Sequence, residues 1–182
     1  MFGLFRRFKR KRLLKRPFPS EWTAILARNV PFFQKLSDPL RQKFLDYLRI
    51  FAEEKYFIGA GGLEMNDEVR VTISACAVRL VLALDIDYYD KLTEIIVYPY
   101  TYRHPEGEGA ILGEAHTWGT VVLSWPAVMQ GLRDPRDGHD TAAHEFAHVL
   151  DNQDGSFDGT PVLRAGEHYS PWAHVMSDHY HK

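Results

Sequence analysis

Two histidines four residues apart, with a glutamate directly after the first, are the residues of this chain best suited to chemistry. His144, Glu145 and His148 form an H-E-x-x-H pattern in a segment without glycine or proline. On an α-helix, residues four apart project from one face, so both imidazoles can offer nitrogen ligands to one Zn2+. Glu145 lies about 100° around the helix, where it can take a proton from a zinc-bound water and pass it to a leaving amine. The pattern predicts a metal-assisted hydrolase.

The competing interpretation of the motif is a helix with two partly buried, hydrogen-bonded histidines. We favour the chemical interpretation because two histidines that bracket a glutamate are costly to bury without a function. The chemical interpretation requires that the segment around the motif be helical.

A hydrolytic zinc site needs a third protein ligand, and the sequence leaves its identity open. Asp151 and Asp154 stand where the longer H-E-x-x-H-x-x-G-x-x-H pattern has Gly and His, so that class of site is excluded. Glu167 is a candidate ligand, although we favour a solvated loop acid. Asp151 shares the face of the two histidines and either orients a ligand imidazole or simply ends the helix. The remaining candidates are Asp154, Asp158, His168, His174, Asp178, His179 and His181, and we interpret the histidines among them as exposed.

The elements around the motif must position it. Asp140 or Thr141 is expected to cap a helix over 141–151. The apolar run over 66–84 predicts a buried central helix, although β-branched residues at 69–73 favour a competing strand. Strands are predicted at 55–59, 95–98 and 120–125, and a polar, Gly-rich loop at 103–113. Strand 120–125 is predicted beside the motif helix, either pairing with an extended substrate or serving as an ordinary core strand.

Length and composition limit the classes of protein that this chain can form. The 182 residues, 45% hydrophobic and 25% charged, suit one globular domain. The single cysteine excludes an internal disulfide framework and an iron–sulfur cluster held by this chain alone. No run of about 18 apolar residues occurs, so no membrane-spanning helix is predicted.

The charge is divided unevenly along the chain. Residues 1–16 hold eight basic side chains and no acidic one, whereas the other 166 residues hold 14 basic and 24 acidic side chains. We favour a flexible, solvated leader at 1–16, followed by one domain at 17–182. The alternative is contact of the leader with an anionic membrane surface or with nucleic acid. The acidic remainder argues against a nucleic-acid-binding core, so no direct nucleic acid binding is expected.

Several short motifs together are more specific than the zinc motif alone. They are His144 to Asp151, Asp154-Gly155, Gly159-Thr160-Pro161, Gly113-Glu114-Ala115, Val121 to Trp125 with Val128 and Gly131, and Pro17-Phe18-Pro19 with Trp22. This combination resembles the Mlc titration factor A family, also called DgsA anti-repressors, from about residue 17 to 176.

The resemblance implies an α+β, zincin-like metallopeptidase domain, dominated by helices, with a small sheet and a fold akin to the catalytic domain of anthrax lethal factor. It implies one Zn2+, aminopeptidase-type hydrolysis of peptide substrates and a cytoplasmic location. His144 and His148 match the family's metal ligands, and Glu145 matches its catalytic base. The resemblance also implies a partner, because family members sequester the Mlc repressor. A non-catalytic module that binds an Mlc-type repressor is therefore the alternative function.

The chain departs from the family pattern at the third ligand. In the family this ligand is a glutamate on a later helix, about 60 residues beyond the first histidine, and here it would fall near position 207, past Lys182. A late tyrosine of the family is absent as well. Two expectations stay open: a C-terminally truncated part of a longer product, or a short and catalytically impaired protein, since two histidines alone hold zinc weakly.

Overall fold

Helices dominate the part of the chain that the computed structural model describes, which is residues 2–103, 110–111, 113–116, 119–134, 138–152, 163 and 165–180. The α-helices are α1 (Phe2–Leu14), α2 (Ser20–Asn29), α3 (Asp38–Glu54), α4 (Asp67–Leu80), α5 (Trp125–Arg133), α6 (Thr141–Asp151) and α7 (Tyr169–Tyr180). The strands are β1 (Tyr56–Gly59), β2 (Glu94–Tyr98), β3 (Tyr102–Arg103), β4 (Ala110–Ile111), β5 (Gly113–His116) and β6 (Thr120–Ser124). The expectation of a helix-dominated α+β domain with a small sheet is confirmed.

The main sheet has the strand order β1-β2-β6-β5. The first three strands are parallel, whereas β5 runs antiparallel to β6, with Gly113 opposite Leu123. Strand β6 is therefore hydrogen-bonded on both sides. The expectation that strand 120–125 could pair with a substrate is wrong for this reason, and β1 and β5 are the end strands of the described sheet. Strands β3 and β4 form a separate antiparallel pair that begins at Tyr102 and takes up part of the predicted loop at 103–113.

The middle of helix α4 is buried on all sides at the centre of the domain. The Asn66 side chain accepts a hydrogen bond of 3.0 Å from the backbone N–H of Val69, and two acidic residues follow in the first turn. This cap and the favourable helix dipole outweigh the strand preference of the β-branched residues. From Val71 to Val78 every residue is fully buried. The predicted central helix is confirmed, although it ends at Leu80 rather than near 84.

Three aromatic side chains join α6 to the rest of the core. Phe146 of α6 lies edge-to-face against Phe51 of α3 and Tyr89, with ring centroids 5.8 and 5.9 Å away. Phe51 and Tyr89 contact each other at 5.2 Å. The Tyr89 hydroxyl donates to the carbonyl of Ala77 at 2.8 Å, so its buried polar atom is satisfied. This cluster fixes the face of α6 opposite the motif.

The basic leader forms a helix that packs against α3. Arg10 is only 8% exposed and donates to both carboxylate oxygens of Glu54, at 2.9 and 2.8 Å. It also contacts Asp87 and Asp90, and Arg6 pairs with Asp90 at 2.5 Å. These contacts hold the leader against the domain, whereas the charge pattern predicts a flexible, solvated leader. The charge pattern does not reveal such contacts, because the acidic partners of Arg10 lie far away in sequence. No helix within the described ranges is long and apolar enough to cross a membrane.

Candidate active site

The motif lies on α6, and the start of this helix is fixed from two directions. One oxygen of Asp140 accepts a hydrogen bond of 2.9 Å from the backbone N–H of Ala143, as an N-cap does. The other oxygen accepts a hydrogen bond of 2.6 Å from the guanidinium of Arg79 on α4. The capping role and the bounds 141–151 agree with the sequence expectation. The central helix therefore sets the position of the motif helix.

The two imidazoles converge on one another. The Nε2 atoms of His144 and His148 lie 3.1 Å apart, and the ring planes are inclined by 84°. Two nitrogens at about 2.0–2.1 Å from one tetrahedral ion are separated by about 3.3 Å, so the observed spacing fits a shared zinc ion. The same spacing also suits a hydrogen bond between one protonated and one unprotonated ring nitrogen. His144 is exposed and His148 is half-buried, so solvent has access to the pair.

Glu145 lies in a tight contact between α6 and β5. The residue is only 6% exposed. A Cβ added to Gly113 would lie 2.6 Å from Cγ of Glu145 and 2.9 Å from Oε1 of Glu145. The methyl group of Thr141 would be 2.9 Å away from the same Cβ. Only a residue without a side chain allows the strand to approach the glutamate this closely.

Sequence reasoning missed the structural role of Gly113. The Gly113-Glu114-Ala115 run supports the family resemblance, but it lacks the β-branched residues that signal a strand. A glycine within a short extended segment often marks close approach of another group, and this was the available signal.

The part of the chain that the structure describes brings no third candidate ligand to the histidine pair. Among the residues described, no three His, Cys, Asp or Glu side chains form a cluster suited to a metal ion. Glu167 lies exposed in the 3₁₀ turn Gly166–His168, and Asp151 is half-buried at the end of α6. His168, His174 and Asp178 are exposed, whereas Asp154, Asp158, His181 and the side chain of His179 lie outside the described residues. Burial raises the pKa of the Cys76 thiol to about 12, which removes it as a ligand or nucleophile at neutral pH.

The structure is a helix-dominated α+β domain with a small mixed sheet, and its H-E-x-x-H segment lies on a helix, which fits a peptidase domain. Residues 5–182 match the family described as glucose-regulated metallo-peptidase M90, and the chain belongs to this family.

Individual relatives agree with this assignment. The chain is 34% identical to an uncharacterized protein of Synechocystis sp., over 95% of the chain and 67% of that protein. It is 25% identical to Mlc titration factor A of Cronobacter sakazakii, over 87% of the chain and 62% of the relative, and 25% identical to that of Yersinia pestis, over 82% and 59%. The resemblance drawn from the motifs is confirmed. The chain spans about three fifths of the length of these titration factors.

Proposed function

We propose that this chain carries the catalytic centre of a zinc-dependent metallopeptidase, with His144 and His148 as zinc ligands and Glu145 as general base. One observation carries the proposal: two Nε2 atoms lie 3.1 Å apart on a single helical turn, and Glu145, the residue after the first histidine, packs against β5. Membership of the M90 family supports a metal cofactor. The zincin-like assignment of the fold, the choice of zinc and the cytoplasmic location are parts of the same proposal.

Glu145 performs the proton transfers of the proposed reaction. Its carboxylate takes one proton from the attacking water while the water oxygen bonds to the carbonyl carbon of the peptide. The same proton then goes to the amine nitrogen as the C–N bond breaks, which leaves a carboxylic acid and a free amine. Zinc, when bound, would lower the pKa of that water and polarise the peptide carbonyl. Burial of Glu145 fixes the direction of its carboxylate and so favours a single reactive geometry.

The end strand β5 is the surface that we propose for the peptide substrate. It contacts α6 directly, and its pairing with β6 occupies one of its two hydrogen-bonding edges. An extended peptide could add to the other edge by backbone hydrogen bonds, which would bring a scissile bond close to Glu145. Aminopeptidase-type specificity is proposed from the family resemblance alone.

We propose that the third zinc ligand is a glutamate in a segment that the 182 residues do not include. The greater length of the titration factors supports this proposal. Zinc titration of the 182-residue chain and of a longer gene product, if one is encoded, tests it. We expect much tighter binding by the longer protein. If Glu167→Gln weakens binding by the 182-residue chain as strongly as His148→Ala, Glu167 is the third ligand instead.

The substitution Glu145→Gln tests the proposed mechanism. It removes the base but keeps the side-chain volume, so peptide hydrolysis should fall at least about 100-fold. Zinc content, measured by atomic emission, should stay unchanged. Glu21→Gln, at an exposed position of α2, is the matched control and should retain full activity. Retained turnover in Glu145→Gln would remove Glu145 from the mechanism, and loss of zinc in that variant would make it a ligand.

The second candidate function is binding and sequestering a transcriptional repressor of the Mlc type. The name of the relatives, Mlc titration factor A, is the observation that favours it. Titration calorimetry with a purified Mlc-type repressor should show binding by both Glu145→Gln and His144→Ala if capture needs no catalysis. Loss of binding in folded His144→Ala would tie capture to the metal site.

A further inference from the structure

The outer face of α1 combines large apolar and basic side chains that all lie in solvent. It consists of Leu4, Phe5, Phe8, Lys11, Arg12 and Lys15. At 100° per residue the five positions within α1 fall within about 120° of arc centred near Phe8, and Lys15 directly follows the helix. The three apolar residues are 78%, 74% and 69% exposed, in chain order. Solvated side chains of this size on one face mark an interaction surface.

The opposite face of α1 is fixed to the domain, so the outer face has a set orientation. Arg10 lies about 160° around the helix from Phe8 and is clamped by Glu54. The acidic neighbours Glu54 and Asp87 keep Arg10 protonated and raise the pKa of its guanidinium, against the opposing effect of burial. Arg49 adds contacts to the carbonyls of Arg16 and Pro17 just after the helix. The helix therefore exists before any partner binds, and no ordering of the chain is needed.

The outer face is divided along the helix axis. Its first two turns carry Leu4, Phe5 and Phe8, whereas Lys11 and Arg12 lie in its last turn and Lys15 directly follows it. Arg7, Lys9 and Arg16 are exposed at its flanks. By contrast, residues 17–182 hold 14 basic and 24 acidic side chains. An anionic surface would therefore attract the basic helix α1 and repel the acidic remainder of the domain, which orients the protein with α1 toward that surface.

We propose that the outer face of α1 binds the surface of an anionic lipid bilayer. The apolar turns would enter the boundary between head groups and acyl chains, and the basic turns would contact lipid phosphates. Lipid is favoured over nucleic acid because three large apolar side chains occupy the first two turns of the face. Contacts to a phosphate backbone would leave them in water. The binding is peripheral and is independent of the proposed peptidase activity.

Vesicle partitioning of the full 182-residue chain tests the proposal. Vesicles of phosphatidylcholine with about 30% phosphatidylglycerol should bind the protein, and vesicles of phosphatidylcholine alone should bind it much more weakly. Raising the salt from about 0.1 to about 0.5 M should weaken the binding, because screening shortens the reach of the charges.

Two sets of variants separate the apolar and the basic contributions. The triple variant Lys11→Gln, Arg12→Gln and Lys15→Gln should lower the partition coefficient about 100-fold, at about fivefold for each charge. Phe8→Ser should lower it about tenfold or more. The controls Lys35→Gln and Leu40→Ser remove an exposed basic and an exposed apolar side chain outside α1 and should change nothing. Circular dichroism and urea unfolding confirm that each variant is folded.

Four outcomes would overturn the proposal. These are equal binding to both vesicle types, no binding to either, unchanged binding by folded Phe8→Ser, and equal losses in the controls. Tighter binding to a duplex oligonucleotide than to anionic vesicles at the same salt would assign the face to nucleic acid. A dimer that dissociates in Phe8→Ser, together with absent vesicle binding, would assign it to a second copy of the chain.

Discussion

At the scale of single residues, the position of Glu145 depends on the absence of a side chain at Gly113. The glutamate contacts the strand backbone where any other residue would place a Cβ, so the proposed general base and the glycine form one structural unit. A general base must lie within hydrogen-bonding reach of its proton, and an error of about 1 Å can cost about two orders of magnitude in rate.

Gly113→Ala should displace Glu145 and lower peptidase activity about 100-fold while retaining the fold. The added methyl group would overlap Cγ of Glu145, so we also expect a loss of about 1–3 kcal/mol in the free energy of unfolding. Activity assays and urea unfolding measure the two effects. Gly166→Ala is the matched control, since a Cβ there would meet nothing within 4 Å. Full activity in Gly113→Ala would show that the contact does not position the base.

The individual site residues could be predicted only in part. The spacing of His144 and His148 predicts that both rings share a face, and the structure brings their Nε2 atoms to 3.1 Å. Their role as zinc ligands stays a prediction. The contact between Glu145 and Gly113 joins residues 32 positions apart, and no local pattern encodes such a contact.

At the scale of elements, the motif depends on how α6 begins. Asp140 caps the helix and accepts a hydrogen bond from Arg79 of α4. The α5 residue Gly131 packs closely against Asp140, since a Cβ added to Gly131 would lie 2.9 Å from Cα of Asp140. The first turn of α6 is thus packed between two other helices, which orients both imidazoles.

Asp140→Ala should lower the free energy of unfolding by about 1–3 kcal/mol, because the cap and the partner of Arg79 are lost together. Asp140→Asn keeps the capping oxygen and should cost less. Urea unfolding monitored by circular dichroism provides the measurement. Ser37→Ala is the control, since Ser37 precedes α3 without a side-chain capping bond. Equal stability of Asp140→Ala and Ser37→Ala would contradict the capping role.

Elements with local signals were predictable, and elements built from distant pairing were not. Helices α4 and α6 have caps and apolar patterns within their own segments, and both were predicted. Strand β5 has neither, because it is a strand only through its pairing with β6. The docking of α1 was missed for a similar reason: Glu54 lies 44 residues from Arg10.

At the scale of the whole molecule, polar contacts join α2 to the buried helix α4. The indole N–H of Trp22 donates to Asp67 at 2.9 Å, and Asn29 donates to Glu68 at 3.1 Å. The hydrogen bond from Trp22 lowers the pKa of Asp67, and Arg70 lowers it further. The pKa of Glu68 is lowered first by Asn29 and then by Arg28.

These contacts predict that the domain loses stability in acid. Folding lowers the pKa of the Asp67 carboxyl group from its ordinary value of 3.8. Such a carboxylate stabilises the native state at pH values above its unfolded pKa, and this contribution is lost as the pH falls through its folded pKa. The urea midpoint should therefore decrease below about pH 4. Asp67→Asn should flatten the decrease, and Glu21→Gln serves as control. An equally steep decrease in Asp67→Asn would show that other groups set the acid limit.

The order of the strands also separates the two ends of the molecule. Helix α1 borders a surface cleft that Tyr56 of β1 lines as well, whereas α6 contacts β5 at the far side of the sheet. Three strand spacings, about 14 Å, lie between these end strands. A protein that rests on a bilayer through α1 would hold β5, the strand that contacts the motif helix, at the opposite edge of the described sheet from β1. We then expect the proposed substrate surface on β5 to receive peptides from the surrounding fluid rather than segments embedded in the membrane.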